Sequence, residues 1–293
     1  MSEGLLLLLG TGSCWAGLAA VVAIGSTRQA PAALVQPFSA LLVLVFAGWS
    51  AFAFGAIPSF GVSILFQAGT LLAAGMCNYF MLNLVQRGME AGRAGVVWAF
   101  TQSSMICPFL LGIIVFKEPG GIFRLGGIML ILLGLILFAC ARKEVGTTGA
   151  WLPPTLCAFV LAGSAQCFAS LPSYFQLEGM TALRRMMLTQ CGILIAFGLD
   201  YCLRPRPVAA GRNVWFFAGI FGFLNLAALL LFYNGLNLLA DARCASAGYP
   251  TAQGLSIALF FLIGQRKKST GVLSWAAFFL LLTGIVFLVV ETY

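Results

Sequence analysis

The chain has 293 residues, of which 61% are hydrophobic and only 8% are charged. Its mean hydropathy is +1.02, whereas about 25% of the residues of a typical soluble domain are charged. This composition excludes a soluble globular domain and predicts an integral membrane protein. A membrane β-barrel is excluded as well, because barrel strands alternate in polarity and run for only about 10 residues.

Ten apolar segments follow one another along the chain, each near the length of about 20 residues that crosses a bilayer as a helix. The predicted spans are residues 4–24, 31–54, 60–83, 94–116, 121–140, 151–171, 183–202, 213–239, 243–263 and 271–290. The connections are too short for a soluble domain. The first segment lacks a basic flank, so we interpret it as a retained helix and not as a secretory signal. The sequence predicts an all-α integral membrane protein with ten transmembrane helices.

The first five segments and the last five have the same layout. At an offset of about 150 residues the aligned identities include Arg93 with Arg243, Thr101 with Thr251, Lys117 with Lys267 and Gly134 with Gly284. Because five is an odd number, the second copy enters the membrane from the opposite side. We therefore predict two five-helix repeats of inverted topology, 1–145 and 146–293.

The net charge of +8 arises from 16 Lys and Arg against 8 Asp and Glu. Nearly all of these residues lie in connections or at helix ends, which favours anchoring at the cytoplasmic membrane face over nucleic-acid binding. Eleven basic residues belong to the odd-numbered connections and five to the even-numbered ones. This asymmetry predicts a multi-pass protein of the inner cell membrane with both termini outside the cytoplasm, and no nucleic-acid partner.

The reactive side chains argue against an enzyme and against a metal centre. The chain has nine Cys and no His, and the cysteines show neither metal-site nor disulfide-framework spacing. We expect no metal and no other cofactor. Every carboxylate lies at or beyond a predicted helix end, with Asp200 near the end of the seventh segment. Proton relays through membranes commonly use Asp, Glu or His within the spans, so we expect facilitated diffusion or exchange.

Amides and aromatic residues near mid-span are concentrated in segments 1, 3 and 4 and in their repeat partners 6, 8 and 9. Polar side chains at that depth face a cavity or another helix, where an amide can also serve as an interhelical hydrogen bond. In the fourth segment Trp98 and Gln102 share one helical face, and Tyr249 and Gln253 repeat the spacing. The candidate binding residues are Trp15, Asn78, Tyr79, Trp98, Gln102, Gln166, Asn225, Tyr249 and Gln253.

The connection after the fourth segment reads Phe116-Lys117-Glu118-Pro119 and leads into a glycine-rich fifth segment. With the ten-span layout, this resembles the drug/metabolite transporter superfamily, in particular its EamA-like members and the bacterial glucose/rhamnose-type uptake proteins. The second repeat departs from the motif, with residues 265–270 basic where an acidic residue is expected. The resemblance implies a central cavity between the repeats, lined by helices 1, 3, 4, 6, 8 and 9, and alternating access.

These features favour a transporter of a small polar metabolite that works within the lipid bilayer. Amides and aromatic faces suit a neutral sugar, and they also suit a quaternary ammonium such as choline through cation–π contact. An anionic substrate is disfavoured, because the paired Arg184 and Arg185 are expected to mark the end of a span. An efflux carrier for amino acids or drugs, a channel, a non-transporting membrane scaffold and a homodimer stay open.

Overall fold

The computed structural model describes residues 2–28, 30–53, 62–141, 149–175, 181–205, 211–265 and 272–290. Within these ranges the chain forms ten helices and no strand. They are α1 Ser2–Thr27, α2 Ala32–Ala53, α3 Val62–Gly88, α4 Ala94–Val115, α5 Ile122–Ala141, α6 Leu152–Tyr174, α7 Ala182–Leu203, α8 Arg212–Asp241, α9 Gly248–Gln265 and α10 Val272–Val290.

Eight of these helices are long and apolar enough to cross a membrane, and α5 and α10 contribute shorter apolar stretches. The all-helical prediction is confirmed for the described residues. Its physical basis is that a helix satisfies every backbone N–H and C=O internally, which the hydrocarbon core demands.

Helix α4 changes its winding along its length. An α-helical run to Gln102 is followed by a 3₁₀ turn, Ser103–Met105, then by a short α-helical run and a π turn, Leu111–Val115. Pro108 lacks a backbone N–H, and its ring would clash with the carbonyl group four residues earlier in a regular helix. The 3₁₀ turn lies at that position, so we attribute the change in winding to the proline.

A π-helical turn, Met89–Arg93, joins α3 directly to α4. Nine residues of straight helix would separate Gly88 from Val97 by about 13 Å. A Cβ at Gly88 would instead lie 3.0 Å from the Val97 side chain. The chain therefore reverses direction at this turn, and α4 packs back beside the end of α3.

The ninth helix begins later than predicted. We expected it from residue 243, but α8 continues to Asp241 and α9 begins at Gly248. Between them Arg243 has φ 55°, a left-handed conformation that interrupts a right-handed helix. A 3₁₀ turn, Ala245–Ala247, then leads into α9. The predicted boundary was therefore wrong by five residues, because hydropathy does not detect this turn.

Eight helices form a closed ring. Their packing order is α1, α9, α4, α6, α3, α7, α2, α8 and again α1, while α5 and α10 pack against each other outside the ring. The first five helices are thus interleaved with the last five. Glycine permits the closest crossing, between α3 and α7, where a Cβ at Gly75 would clash with the backbone oxygen of Thr189 and approach Gly192.

Candidate functional site

A cavity of about 130 Å³ lies inside the ring. Each of the eight ring helices contributes to its wall. The lining residues are Trp15, Leu18, Gln36, Asn78, Met81, Leu82, Trp98, Gln102, Ala162, Ala165, Gln166, Ala169, Thr189, Gln190, Ile193, Phe221, Asn225, Leu229, Phe232, Tyr233, Tyr249 and Gln253. Engineered cavities of roughly 150 Å³ hold a molecule the size of benzene, so this space suits a small ligand.

Eight of the nine residues singled out from the sequence line this one cavity. They are Trp15, Asn78, Trp98, Gln102, Gln166, Asn225, Tyr249 and Gln253. The wall also includes Gln36 from α2 and Thr189 and Gln190 from α7. Both helices were absent from the set of lining helices that the family resemblance implies. Helices α2 and α7 also pack against each other.

Tyr79 is the exception among the nine. Successive residues of a helix differ by about 100° in direction, and Asn78 faces the cavity while Tyr79 does not. The Tyr79 hydroxyl donates to Asp200 Oδ2 at 3.0 Å, and the ring packs in a small cluster with Ala40 and Ala196. Tyr79 therefore joins α3 to α2 and α7 outside the cavity.

One side of the cavity is an aromatic wall. The Trp15 ring lies 5.2 Å from Phe232 and 6.1 Å from Tyr249, with the latter pair stacked at 18°. Phe232 and Tyr249 are themselves 4.6 Å apart. Trp15 is near the middle of α1, which explains why it packs inward and does not lie in an interfacial belt. These faces can stack on a planar or apolar part of a ligand.

The amides of the wall have unused hydrogen-bonding capacity. Gln166 donates through Nε2 to Ser104 Oγ at 2.8 Å, but its Oε1 has no partner among the described residues. The same holds for Gln253 Oε1, for Trp98 Nε1 and for both side-chain polar atoms of Gln190. A buried polar atom without a partner costs roughly 1–3 kcal/mol. Groups of this kind around one cavity indicate a site that hydrogen-bonds a polar ligand.

A buried arginine lies behind one end of the cavity wall. Arg185, only 1% exposed, donates through Nη1 to Ser173 Oγ at 2.7 Å and to Asn237 Oδ1 at 2.6 Å, and through Nη2 to the Ala169 carbonyl at 2.7 Å. Its guanidinium also lies 4.4 Å over the Tyr233 ring. This network joins the beginning of α7 to the end of α6 and to α8.

Arg184 and Arg185 lie in the first turn of α7, at the end of the helix as expected, but the Arg185 side chain is buried and points into the bundle. The sequence carries a weak signal for this position. Arg185, Thr189 and Ile193 are spaced by four residues and so share one helical face, and the last two line the cavity. Arg184 is half-buried on another face.

The opposite end of the cavity is narrowed by a glutamine. α3 and α7 run in parallel, since Gly75 meets Gly192 and Tyr79 meets Asp200, so the end of α3 lies far from Arg185. There Gln86 accepts a hydrogen bond from the Ala32 backbone N–H and donates to the Ala30 carbonyl at 3.4 Å. A space of only about 10 Å³ lies beside it.

A second, wider space of about 410 Å³, here called the vestibule, lies between the ends of α3 and α7 and the beginning of α2, with Gln86 in its wall. It carries charged side chains of both signs, among them Arg87, Glu90, Asp200 and Arg204. The vestibule differs in this respect from the central cavity, whose described lining contains no charged residue.

The acidic residue of the Phe116-Lys117-Glu118-Pro119 connection has a structural role. Glu118 accepts hydrogen bonds from the Ala245 and Ser246 backbone N–H groups at 2.8 and 2.9 Å. It also lies 3.9 Å from Arg124 Nη1. The first N–H groups of a helix have no intrahelical partner and favour a negative charge. Glu118 therefore fastens the α4–α5 connection to the 3₁₀ turn that precedes α9, outside the cavity lining.

Comparisons with known proteins support the fold and leave the function open. The chain matches no protein-family model and no curated protein. It is similar to 28 solved chains. One crystal structure of a protein superposes over 98% of each chain with a TM-score of 0.72, at 14% sequence identity. A likeness at this identity establishes a shared fold alone.

Proposed function

We propose that this chain is a secondary transporter that moves a small polar metabolite across a membrane by alternating access. The observation that carries the proposal is the central cavity, whose wall combines unpartnered amide groups with aromatic faces at mid-helix depth. A polar cavity inside an apolar bundle is costly unless it serves a polar solute. Small-molecule sites between helices have this combination of apolar wall and few polar groups.

Two inverted five-helix repeats are part of the proposal, and the packing supports them. If α1–α5 correspond to α6–α10, each major contact has a counterpart. Thus α1 packs on α8 as α6 packs on α3, α2 packs on α8 as α7 packs on α3, and α1 packs on α9 as α6 packs on α4. Such exchange symmetry is expected of repeats related by a two-fold axis in the membrane plane.

Individual contacts between α5 and α10 follow the same correspondence. A Cβ at Gly127 would meet the Gly284 carbonyl at 2.8 Å, and one at Gly134 would meet the Ala277 carbonyl at 3.0 Å. At an offset of 150 residues, Gly127 corresponds to Ala277 and Gly134 to Gly284, so each contact maps onto the other. This supports a two-fold axis that passes between α5 and α10.

Alternating access needs a closure at each end of the cavity, and the two ends described above suit this role. Arg185 joins α7 to Asn237 of α8 and to the end of α6, while Gln86 of α3 joins the corner between α1 and α2. The repeat relates α3 to α8 and the α1–α2 corner to the α6–α7 corner. We propose that the two closures open in turn, in a protein of the inner cell membrane with both termini outside the cytoplasm.

Flux through purified protein tests the proposal. Proteoliposomes should take up at least one labelled solute from a panel of sugars, choline, amino acids and small organic acids, above the rate of empty liposomes. Gln253→Leu and Gln190→Leu remove polar atoms from the cavity wall and should reduce that uptake about tenfold or more. Gln67→Leu is a matched control, since Gln67 is a buried glutamine of α3 outside the cavity lining.

The control separates transport from packing. Wild-type uptake by all three variants would mean that the solute does not contact these cavity amides and passes elsewhere, and an equal loss in all three would mean that the loss comes from altered packing. Absence of uptake for the whole panel, with intact folded protein, would favour a non-transporting membrane scaffold.

A further inference from the structure

Arg185 carries a buried charge that has only neutral partners among the described residues. Its three hydrogen-bond acceptors are a serine hydroxyl, an amide oxygen and a backbone carbonyl. The ion pair found in the described part of the chain is Arg124 with Glu118, and none there involves Arg185. Its Nε also has no hydrogen-bond partner among those residues.

A structural link alone does not account for an arginine at this position. A buried charge is costly unless it is paired with an opposite charge. The three acceptors and the face of the Tyr233 ring stabilise the guanidinium in part, but none of them carries a negative charge. The buried positive charge therefore indicates a functional role. A negatively charged group of a ligand would compensate it.

The guanidinium is next to the cavity. It lies 4.4 Å over the Tyr233 ring and donates to Ala169, and both of these residues line the cavity. Along α7 the lining residue Thr189 is four residues away, a rise of about 6 Å. Its hydroxyl bonds the Arg185 carbonyl at 2.9 Å and the Tyr233 hydroxyl at 3.0 Å. One positive charge therefore lies directly behind this end of the wall.

We propose that the substrate carries a carboxylate, which binds at the Tyr233 end of the cavity with Arg185 as its counter-charge. This rests on the cavity being the site of the proposed transport. Both Nη atoms already donate to Ser173, Asn237 and Ala169, so Arg185 acts on the carboxylate through its positive charge from behind the wall. The same charge repels a quaternary ammonium, so choline is disfavoured although the aromatic wall could stack on it.

The rest of the cavity suits the remainder of such a ligand. The unpartnered oxygens of Gln166 and Gln253 can accept hydrogen bonds from an amino or hydroxyl group, and the faces of Trp15 and Tyr249 can cover an apolar part. A zwitterionic amino acid and a simple organic acid share the carboxylate. Ligands with and without the amino group distinguish them.

Binding to purified protein tests the charge requirement without any flux. The probes are L-alanine, L-leucine and L-phenylalanine, the acids that lack their amino group (propionate, 4-methylpentanoate and 3-phenylpropionate), the amines that lack their carboxylate (ethylamine, isopentylamine and phenethylamine), glucose and choline. A ligand of the folded state raises its melting temperature by mass action. At least one carboxylate should do so, and its matched amine should not.

Variants of the paired arginines link the effect to one side chain. Arg185→Gln should weaken carboxylate binding about 100-fold, as expected when one partner of a buried charge pair is removed. Arg185→Lys keeps the positive charge but places it on a shorter side chain, and it should weaken binding only about tenfold. Arg184→Gln removes the same charge from the adjacent residue and should change affinity less than about twofold. If Arg185→Gln does not fold, the Arg185→Lys variant and the matched ligands still decide the question.

The outcomes are distinct. If an acid and its matched amino acid bind equally well, the carboxylate alone is recognised. If only the amino acid binds, the site recognises the amino group as well. The proposal is overturned if no carboxylate binds, if an amine, choline or glucose binds as tightly as the carboxylates, or if Arg184→Gln has the effect expected of Arg185→Gln. Carboxylate binding without flux would refute transport and keep this inference. Flux of glucose or choline without carboxylate binding would support transport and refute this inference.

Discussion

The buried charges of Glu118 and Arg124 are held by backbone groups and by each other. Glu118 is only 6% exposed, yet it accepts from two backbone N–H groups of the 3₁₀ turn before α9 and lies beside Arg124. Arg124 in turn donates to the Pro119 carbonyl at 2.7 Å. Two connections that are far apart in sequence, α4–α5 and α8–α9, are fastened through this one carboxylate.

Removing the Glu118 carboxylate should destabilise the protein without changing the lining of the cavity. Glu118→Ala leaves two helix N–H groups and a buried guanidinium less satisfied, and we expect a loss of about 3 kcal/mol in the free energy of unfolding. Thermal unfolding in detergent measures it as a lowered melting temperature. Glu90→Ala, at an exposed position, is the control. Equal melting temperatures for the two variants would mean that Glu118 does not fasten the connections.

At the scale of helices, hydropathy predicts most of the structure because apolar runs of about 20 residues have few alternatives in a bilayer. It does not detect how helices end. α3 continues to Gly88, past its predicted end at residue 83. The prediction ended too early because the last turns of the helix carry polar residues such as Gln86 and Arg87, which lower the average hydropathy. α9 begins late because Arg243 adopts a left-handed conformation. Both differences arise from the backbone and from polar contacts, which an average hydropathy does not contain.

The candidate site is predictable to a similar degree, for a related reason. Mid-span amides and aromatics must turn away from lipid, which brought eight of the nine chosen residues to one cavity. Depth alone does not say which way a side chain points, so Tyr79 was grouped with Asn78. The sequence does not single out Gln36, since a lone amide in an apolar segment has no periodicity. Arg185 depends on partners in two other helices that no local pattern indicates.

The crossing of α3 and α7 depends on close backbone contact. Gly75→Ala would place a Cβ against the backbone of α7 at Thr189 and Gly192, so we expect the helices to separate and the protein to lose roughly 2 kcal/mol or more. Gly69→Ala is on the same helix and meets nothing within 4 Å. Alanine favours a helix over glycine by about 1 kcal/mol, so Gly69→Ala should be neutral or stabilising.

Melting temperatures of the two glycine variants in detergent test this crossing. Because α7 also carries Thr189 and Gln190 of the cavity wall, Gly75→Ala should weaken ligand binding as well, while Gly69→Ala should not. If both variants melt at the wild-type temperature, the crossing tolerates a wider spacing and glycine is not required there.

On the scale of the whole molecule, charge is distributed unevenly between the central cavity and the vestibule. The described lining of the central cavity has no charged side chain, with Arg185 directly behind it, whereas the vestibule contains both signs of charge. Asp200 lies in that vestibule and accepts from the Tyr79 hydroxyl. Asp200 and the other charges of the vestibule therefore lie outside the central cavity.

This distribution predicts transport that does not need a proton gradient. A proton-coupled carrier requires a group that gains and loses a proton as the site changes sides, and Asp200 is the carboxylate nearest to that role although it lies outside the cavity lining. Uptake into proteoliposomes with an imposed pH gradient should equal uptake without one, and should not exceed equilibrium in either case.

Asp200→Asn keeps an oxygen that can accept from Tyr79, so its uptake should stay within about twofold of wild type. Asp241→Asn, an exposed carboxylate at the end of α8, controls for the loss of charge alone. Accumulation that requires the gradient and disappears in Asp200→Asn, but not in Asp241→Asn, would instead identify Asp200 as the proton carrier.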